Sequence, residues 1–121
     1  MNQSEYDNLI DGLLYAAREV EDAKRPGYTT GTEDVLSNFK RVGEQTGIMP
    51  EKVLMIYMLK HLDSIRTKLN DIEMDKKNED PEPWQGRMYD ILNYVKLLYA
   101  LMTERERRNG PKPTNGGSKH E

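Results

Sequence analysis

Two pairs of polar residues interrupt stretches of sequence that are otherwise apolar. Lys60 and Asp63 stand three residues apart at the end of the apolar run Val53–Leu59, and Asp90 and Asn93 have the same spacing inside a second apolar stretch. Residues three apart lie on the same face of an α-helix, so each pair presents its polar groups together. We predict that the two pairs face each other across a helical bundle and form one site.

These residue types suit a ligand that contains phosphate. A lysine ammonium at the edge of an apolar core gains more from a polyanion than one in bulk water does, and Asp63 and Asp90 could hold a Mg²⁺ ion. Simpler alternatives exist, because Lys60 and Asp63 could form an intrahelical ion pair, and Asp90 and Asn93 could form a cap or an interhelical hydrogen bond. Two carboxylates are few for a protein-built magnesium site, so the sequence favours nucleotide binding over a complete metal centre.

Other polar and aromatic groups each have a structural explanation. His61 has no serine, cysteine or carboxylate at the spacing of a nucleophilic triad, so we do not interpret it first as a catalytic residue. Trp84 and Tyr28 could stack on a base, although an aromatic side chain beside a helix start is more often a packing residue.

Four segments carry apolar residues at three- and four-residue spacing, and proline, glycine or capping residues bound each of them. This pattern predicts an all-α helical bundle of four main helices. The predicted helices run from Ser4 to Pro26-Gly27, from a capping box at Thr30 and Glu33 to about Glu44, from Pro50 into residues 71–75, and from Pro83 or Trp84 to about Arg107.

The pattern also predicts which faces are buried. The first helix should bury one face, and the third should start as a helix that is apolar on every side. The predicted buried face of the first helix consists of Tyr6, Leu9, Ile10, Leu13, Leu14, Ala17 and Val20. Only the first half of that third helix is expected to be wrapped by the domain. The charged segment 75–82 that follows it is typical of an exposed linker.

Length and composition bound the remaining possibilities. The 121 residues suit a single domain over 1–108, and the polar residues 109–121 predict a disordered tail. A net charge of -3 makes nucleic acid an unlikely partner, and the absence of cysteine excludes disulfides and thiolate metal sites. We expect a cytoplasmic protein, because the sequence shows neither a signal peptide nor an apolar run long enough to cross a membrane.

The apolar content of the third and fourth helices predicts self-association. Both helices are apolar on more than one side, and a lone four-helix domain of this size does not easily cover that much apolar surface. We therefore expect a homo-oligomer.

Five short blocks together resemble a phage-associated family, the nucleotide modification associated domain type 1 family. That family is distantly similar to the MazG-like and dUTPase-like all-α nucleoside triphosphate pyrophosphatases. The blocks are Gly27-Tyr28, Asp34–Phe39, Gly47–Glu51, Met58–Asp63 and Tyr89–Tyr94.

The resemblance implies a helical, usually oligomeric, nucleotide-binding domain. The positions that match the family's polar motifs are Tyr28, Asn38, Lys60, Asp63, Asp90 and Asn93. In the MazG-like pattern, pairs of carboxylates on helices hold Mg²⁺ for attack by water on the phosphate chain. This chain departs from that pattern, because Asn93 stands where a second carboxylate would be wanted and residues 85–87 supply none.

Three functional classes therefore stay open. The first is a nucleotide pyrophosphohydrolase with Asp63 and Asp90 on Mg²⁺, and the second is a binder of a nucleotide or a nucleotide-derived signal that does not cleave it. The third is a helical structural or interaction protein without a small-molecule site. The missing carboxylates favour binding over hydrolysis.

Overall fold

The computed structural model describes residues 1–29 and 33–110, without the side chains of residues 27–29. Within these ranges the chain forms four α-helices and contains no strand. They are α1 (Gln3–Thr29), α2 (Ser37–Thr46), α3 (Pro50–Glu73) and α4 (Trp84–Asn109). The prediction of an all-α bundle of four main helices is confirmed. Of the predicted tail, Asn109 ends α4, and residues 111–121 lie outside the described residues.

Two helix boundaries differ from the predicted ones. α1 continues through Pro26 to its end at Thr29, and the proline therefore interrupts the hydrogen-bond ladder only in the last turn. α2 begins at Ser37, residues 33–36 before it are not helical, and the predicted capping residue Thr30 lies outside the described residues. The carboxylate of Asp34 accepts a hydrogen bond from the Leu36 amide at 2.9 Å, and this turn delays the start of the helix.

The connection between α2 and α3 is as tight as predicted. Gly47 closes α2 in the left-handed conformation, with φ of 75°, and Pro50 occupies the first position of α3, where its missing amide hydrogen is not needed. Gly43 lies so close to this connection that a β-carbon at its position would be 2.6 Å from the Ile48 carbonyl oxygen. A glycine at 43 therefore lets the two helices approach.

The apolar core lies where α2, the first half of α3 and the second half of α4 meet. The rings of Phe39, Tyr57 and Tyr94 pack against one another at tilted or edge-on angles, with centroids 5.6 to 6.4 Å apart. We call this region, residues 36–61 and 93–109, the wrapped end. Its buried apolar residues are Leu36, Phe39, Val53, Leu54, Leu97 and Leu101.

The rest of the molecule is less covered than predicted. We call residues 3–16, 62–73 and 84–92 the open end. The predicted apolar face of α1 is only partly covered. Tyr6, Leu9 and Leu14 each keep more than half of their surface exposed, whereas Ala17 is buried and Ile10, Leu13 and Val20 are half-buried. The prediction that this face is buried is wrong for Tyr6, Leu9 and Leu14 and is confirmed for Ala17, whose carbonyl oxygen accepts a hydrogen bond from Asn93 of α4.

α3 confirms one prediction and corrects another. Only its first half is wrapped, and Leu69 and Ile72 in its second half are 56% and 61% exposed. The first half is not buried on every side, because Met55 and Leu59 point away from α2 and α4 and are also exposed. Among the described residues, no helix is long and apolar enough to cross a membrane.

Candidate functional site

The two polar residues of α4 lie where α1, α3 and α4 meet. Asp90 is 4% exposed, and Lys24 of α1 donates a hydrogen bond to its Oδ1 at 2.8 Å. The other carboxylate oxygen, Oδ2, lies 3.6 Å from Nε2 of His61 on α3. A buried carboxylate needs partners of this kind because the loss of water would otherwise raise its energy steeply.

His61 links this buried carboxylate to Arg87. Its Nδ1 lies 3.4 Å from a guanidinium nitrogen of Arg87, and because a guanidinium can only donate, Nδ1 acts as the acceptor. The proton of the neutral ring then resides on Nε2, which faces Asp90. Burial lowers the pKa of His61 below its ordinary value of 6.5, against an opposing attraction from Asp90 and with a further lowering by Arg87.

Asn93 lies one helical turn beyond Asp90 and is 1% exposed. Its Nδ2 donates to the main-chain carbonyl oxygen of Ala17 at 2.8 Å, which fastens α4 to α1. The carbonyl cannot donate, so the amide cannot turn over, and the Oδ1 of Asn93 is left buried without a hydrogen-bond donor among the described residues. Asp90 and Asn93 therefore form the interhelical contact that was the simpler alternative for this pair.

The other predicted pair lies elsewhere. Lys60 and Asp63 are on the exposed side of α3, and Asp63 forms an ion pair with Arg66 rather than with Lys60. Successive residues of a helix differ by about 100° in direction, so His61, next to Lys60, is the residue that turns toward Asp90. The structure does not bring the two predicted pairs together, since no contact between them occurs in the described part of the chain.

The two positions that came from the family resemblance also lie apart. Asn38 of α2 accepts a hydrogen bond from Arg41 at 2.9 Å on the surface. Tyr28 belongs to the last turn of α1, and its side chain lies outside the described residues.

The carboxylates predicted for Mg²⁺ are each paired with a cation. Asp63 pairs with Arg66 and Asp90 with Lys24, and residues 1–29 and 33–110 contain no group of three carboxylate or histidine side chains placed to hold a metal ion. A Mg²⁺ ion would have to displace these partners, so the magnesium site stays a prediction.

Arg87 also reaches a surface groove that the sequence did not predict, which we call the Trp84 groove. Its guanidinium holds Asp80 through two hydrogen bonds of 2.9 and 3.1 Å and Glu82 at 3.2 Å. The hydrogen bonds from Arg87 lower the pKa of Asp80. The groove has a volume of about 280 Å³ and is lined by Ser64, Ile65, Lys68, Asn78, Asp80, Glu82, Pro83, Trp84, Gln85 and Arg87.

The segment before α4 shapes this groove. Residues 75–82 are exposed or half-buried, as their charges predict, but hydrogen bonds fix the segment in place. Asn78 Nδ2 donates to Asp71 at 2.8 Å, and Asn78 Oδ1 accepts from the Asp80 amide at 3.2 Å. Asp80 in turn accepts from the Glu82 amide at 3.0 Å. These turns hold the segment against α3. Asn and Asp two residues apart before a proline were the available signal for such turns.

The groove brings together four kinds of group. Trp84 presents an indole that is 45% exposed, while Asn78 and Gln85 supply amides. Arg87 and Lys68 supply cations. Arg87 is already paired with Asp80 and Glu82, whereas Lys68 forms no ion pair with any residue of the described ranges. An exposed ring beside amides and an available ammonium can bind a flat heterocycle that carries a negative charge.

Comparison with known proteins adds no assignment. No protein-family model, curated protein or solved structure matches the chain. The resemblance to the nucleotide modification associated family therefore stays a prediction, and a functional proposal has to rest on the geometry of the molecule.

Proposed function

We propose that this protein binds a nucleotide in the Trp84 groove. The observation that carries the proposal is an exposed indole, two amides and an available ammonium around one cavity of about 280 Å³. Stacking of a base on an aromatic side chain contributes about 1 to 3 kcal/mol. The amide of Gln85 can donate to and accept from the edge of that base, and Asn78 keeps its second amide hydrogen and second carbonyl lone pair beyond its bonds to Asp71 and Asp80. Lys68 can then pair with a phosphate.

The charge around the groove favours a short phosphate chain. Asp80 and Glu82 already neutralise Arg87, which leaves Lys68 as the cation available to a ligand. One ammonium matches a monophosphate better than a triphosphate, whose additional charges would face the two carboxylates. The proposed ligand is therefore a nucleoside monophosphate or a nucleotide-derived molecule with a similar charge.

Binding without cleavage is the proposed activity. A metal-dependent attack of water on the phosphate chain would require carboxylates grouped around an open coordination site. Asp63 and Asp90 lie apart, and each has a cationic partner. Hydrolysis of the pyrophosphohydrolase type stays a prediction that the same experiment tests.

The chain itself provides the probe for this test. Trp84 is its only tryptophan, so a change in intrinsic fluorescence during titration at constant protein concentration reports the surroundings of that one side chain. We expect nucleoside monophosphates to quench the fluorescence of Trp84 and to bind more tightly than the corresponding triphosphates. No change with any nucleotide, together with no thermal stabilisation, would refute the proposal.

Two lysines of α3 provide a matched pair of variants. Lys68→Ala should weaken nucleotide binding about tenfold, because a charge-assisted hydrogen bond to phosphate contributes at least about 1.4 kcal/mol. Lys60→Ala lies outside the groove and should leave the affinity unchanged. If Lys60→Ala weakened binding and Lys68→Ala did not, the ligand would bind at the Lys60 and Asp63 pair that the sequence predicts. Addition of Mg²⁺ and triphosphates should release no pyrophosphate, and turnover in proportion to protein concentration would establish an enzyme instead.

A further inference from the structure

α4 has a second apolar face on the side opposite the core. Because successive helical residues differ by about 100° in direction, its members all fall within one sector of about 100° over five turns, and they form one continuous stripe about 27 Å long. Several of them are exposed, from 37% for Met88 and 45% for Trp84 to 75% for Tyr99. We call these residues the outer face: Trp84, Met88, Ile91, Leu92, Val95, Tyr99 and Met102.

The outer face contains no charged residue. Between Trp84 and Thr103 the only charged residues are Arg87, Asp90 and Lys96. Each of them turns toward another part of the same chain: Arg87 contacts Asp80, Asp90 contacts Lys24, and Lys96 contacts Glu21 at 2.8 Å. A solvated helix face in a chain with 32% charged residues would normally carry some of these charges, so this face is suited to burial.

One end of the outer face opens into an apolar groove between α4 and α1. This groove has a volume of about 480 Å³, and its apolar lining comes from Leu9 and Leu13 on one side and from Trp84 and Met88 on the other. The opposite end of the face carries its most protruding side chain, Tyr99. When two copies run in opposite directions, the protruding Tyr99 of each copy lies beside the apolar groove of the other.

We propose that a second copy of this chain covers the outer face, with the two α4 helices antiparallel about a twofold axis near residue 93. In that arrangement Tyr99 and Met102 of each copy enter the apolar groove of the other. Trp84 then faces Met102, and Ile91 faces Val95, so every residue of the stripe meets an apolar partner. A twofold axis makes one patch complementary to itself and closes the assembly at two copies.

Charge at the ends of α4 also favours the antiparallel direction. The segment 79–82 before the helix carries three carboxylates, and the last turn carries Arg107 and Arg108. Antiparallel copies bring the acidic segment of one toward the basic turn of the other, and the two helix dipoles also oppose each other favourably. A parallel pair would place like charges together. This proposal does not rest on nucleotide binding, although Trp84 belongs both to the outer face and to the Trp84 groove.

The first test measures oligomeric state by light scattering during size-exclusion chromatography and by sedimentation. We expect the full chain to be a dimer. Val95→Glu should give a monomer of unchanged helicity, because the twofold axis brings two glutamates into an apolar contact. Ile72→Glu is the matched control, an exposed apolar residue of α3 outside the stripe, and should remain dimeric. A monomeric wild type, or a Val95→Glu variant that stays dimeric, would overturn the proposal.

The second test determines the direction of the two helices. The chain contains no cysteine, so introduced cysteines can form only the intended disulfides. A mixture of Met88→Cys and Tyr99→Cys should cross-link under mild oxidation, whereas Tyr99→Cys alone should not, because its two copies would lie about 18 Å apart along the axis. Efficient cross-linking of Tyr99→Cys alone would show a parallel pair and contradict the arrangement.

Discussion

The wrapped end and the open end differ in how far each covers its own apolar side chains. Phe39 and Leu54 in the wrapped end have no exposed surface, whereas Leu69 and Ile72 in the open end are more than half exposed. The contrast runs along a single helix, because Leu54, Leu69 and Ile72 all belong to α3. Apolar residues at the same helical spacing are therefore buried within the chain at one end of α3 and exposed at the other.

This difference shows what apolar periodicity can and cannot indicate. A stripe at helical spacing predicts that a face is suited to burial, but it does not specify whether the covering surface belongs to the same chain. At the wrapped end α2 supplies that cover, and Phe39 inserts between Tyr57 and Tyr94. Around α4 most of the outer face stays exposed within residues 1–29 and 33–110, which is why a second copy is proposed for it.

The substitution with the largest expected effect on stability compares the wrapped end with the open end directly. Phe39→Ala removes a fully buried ring from the wrapped end and should lower the free energy of unfolding by about 3 to 5 kcal/mol. Leu69→Ala, the matched variant at the open end, should change it by less than about 0.5 kcal/mol. Urea unfolding followed by circular dichroism measures both. Equal losses would show that the open end is covered in solution by a contact that includes Leu69.

Two glycines should respond in opposite directions to the same substitution. A β-carbon at Gly43 would lie 2.6 Å from the Ile48 carbonyl oxygen, so Gly43→Ala should force the α2–α3 connection apart and destabilise the protein by about 1 to 3 kcal/mol. Gly12 in the exposed part of α1 has no described atom within 4 Å of that position, and Gly12→Ala should stabilise by about 0.5 to 1 kcal/mol. Thermal unfolding compares the two, and a stabilising Gly43→Ala would contradict the close approach.

Local sequence signals predicted most of the fold. Pro50 and Gly47 located the α2–α3 connection, and the apolar stripes located α3 and α4 to within about two residues at each end. The misplaced boundaries have local causes as well. Pro26 lies in a last turn that tolerates it, and Asp34 captures the Leu36 amide in a turn before α2 can begin.

The candidate site was harder to predict because it depends on which face of each helix points toward the neighbouring helices. Spacing correctly grouped Asp90 with Asn93 on one face, but it could not show that His61, and not Lys60, turns toward them. The Trp84 groove depends on the Asn78 and Asp80 turns, which hold a charged segment against α3. A charge pattern alone does not distinguish such a segment from a solvated linker.

The smallest effect concerns the junction between the two ends, where His61 lies buried beside Asp90. Burial lowers the pKa of His61 below 6.5. As the pH falls, the imidazole of His61 therefore takes up a proton at a higher pH in the unfolded chain than in the folded one. The free energy of unfolding should therefore decrease as the pH falls below about 6.5, by at most about 1.4 kcal/mol per pH unit. Urea unfolding at about pH 7.5 and about pH 5.5 measures this slope, above the range in which carboxylates titrate. His61→Gln should flatten the slope and His120→Gln should not. A stability that increases toward low pH would mean that attraction by Asp90 outweighs the cost of burying the charged ring.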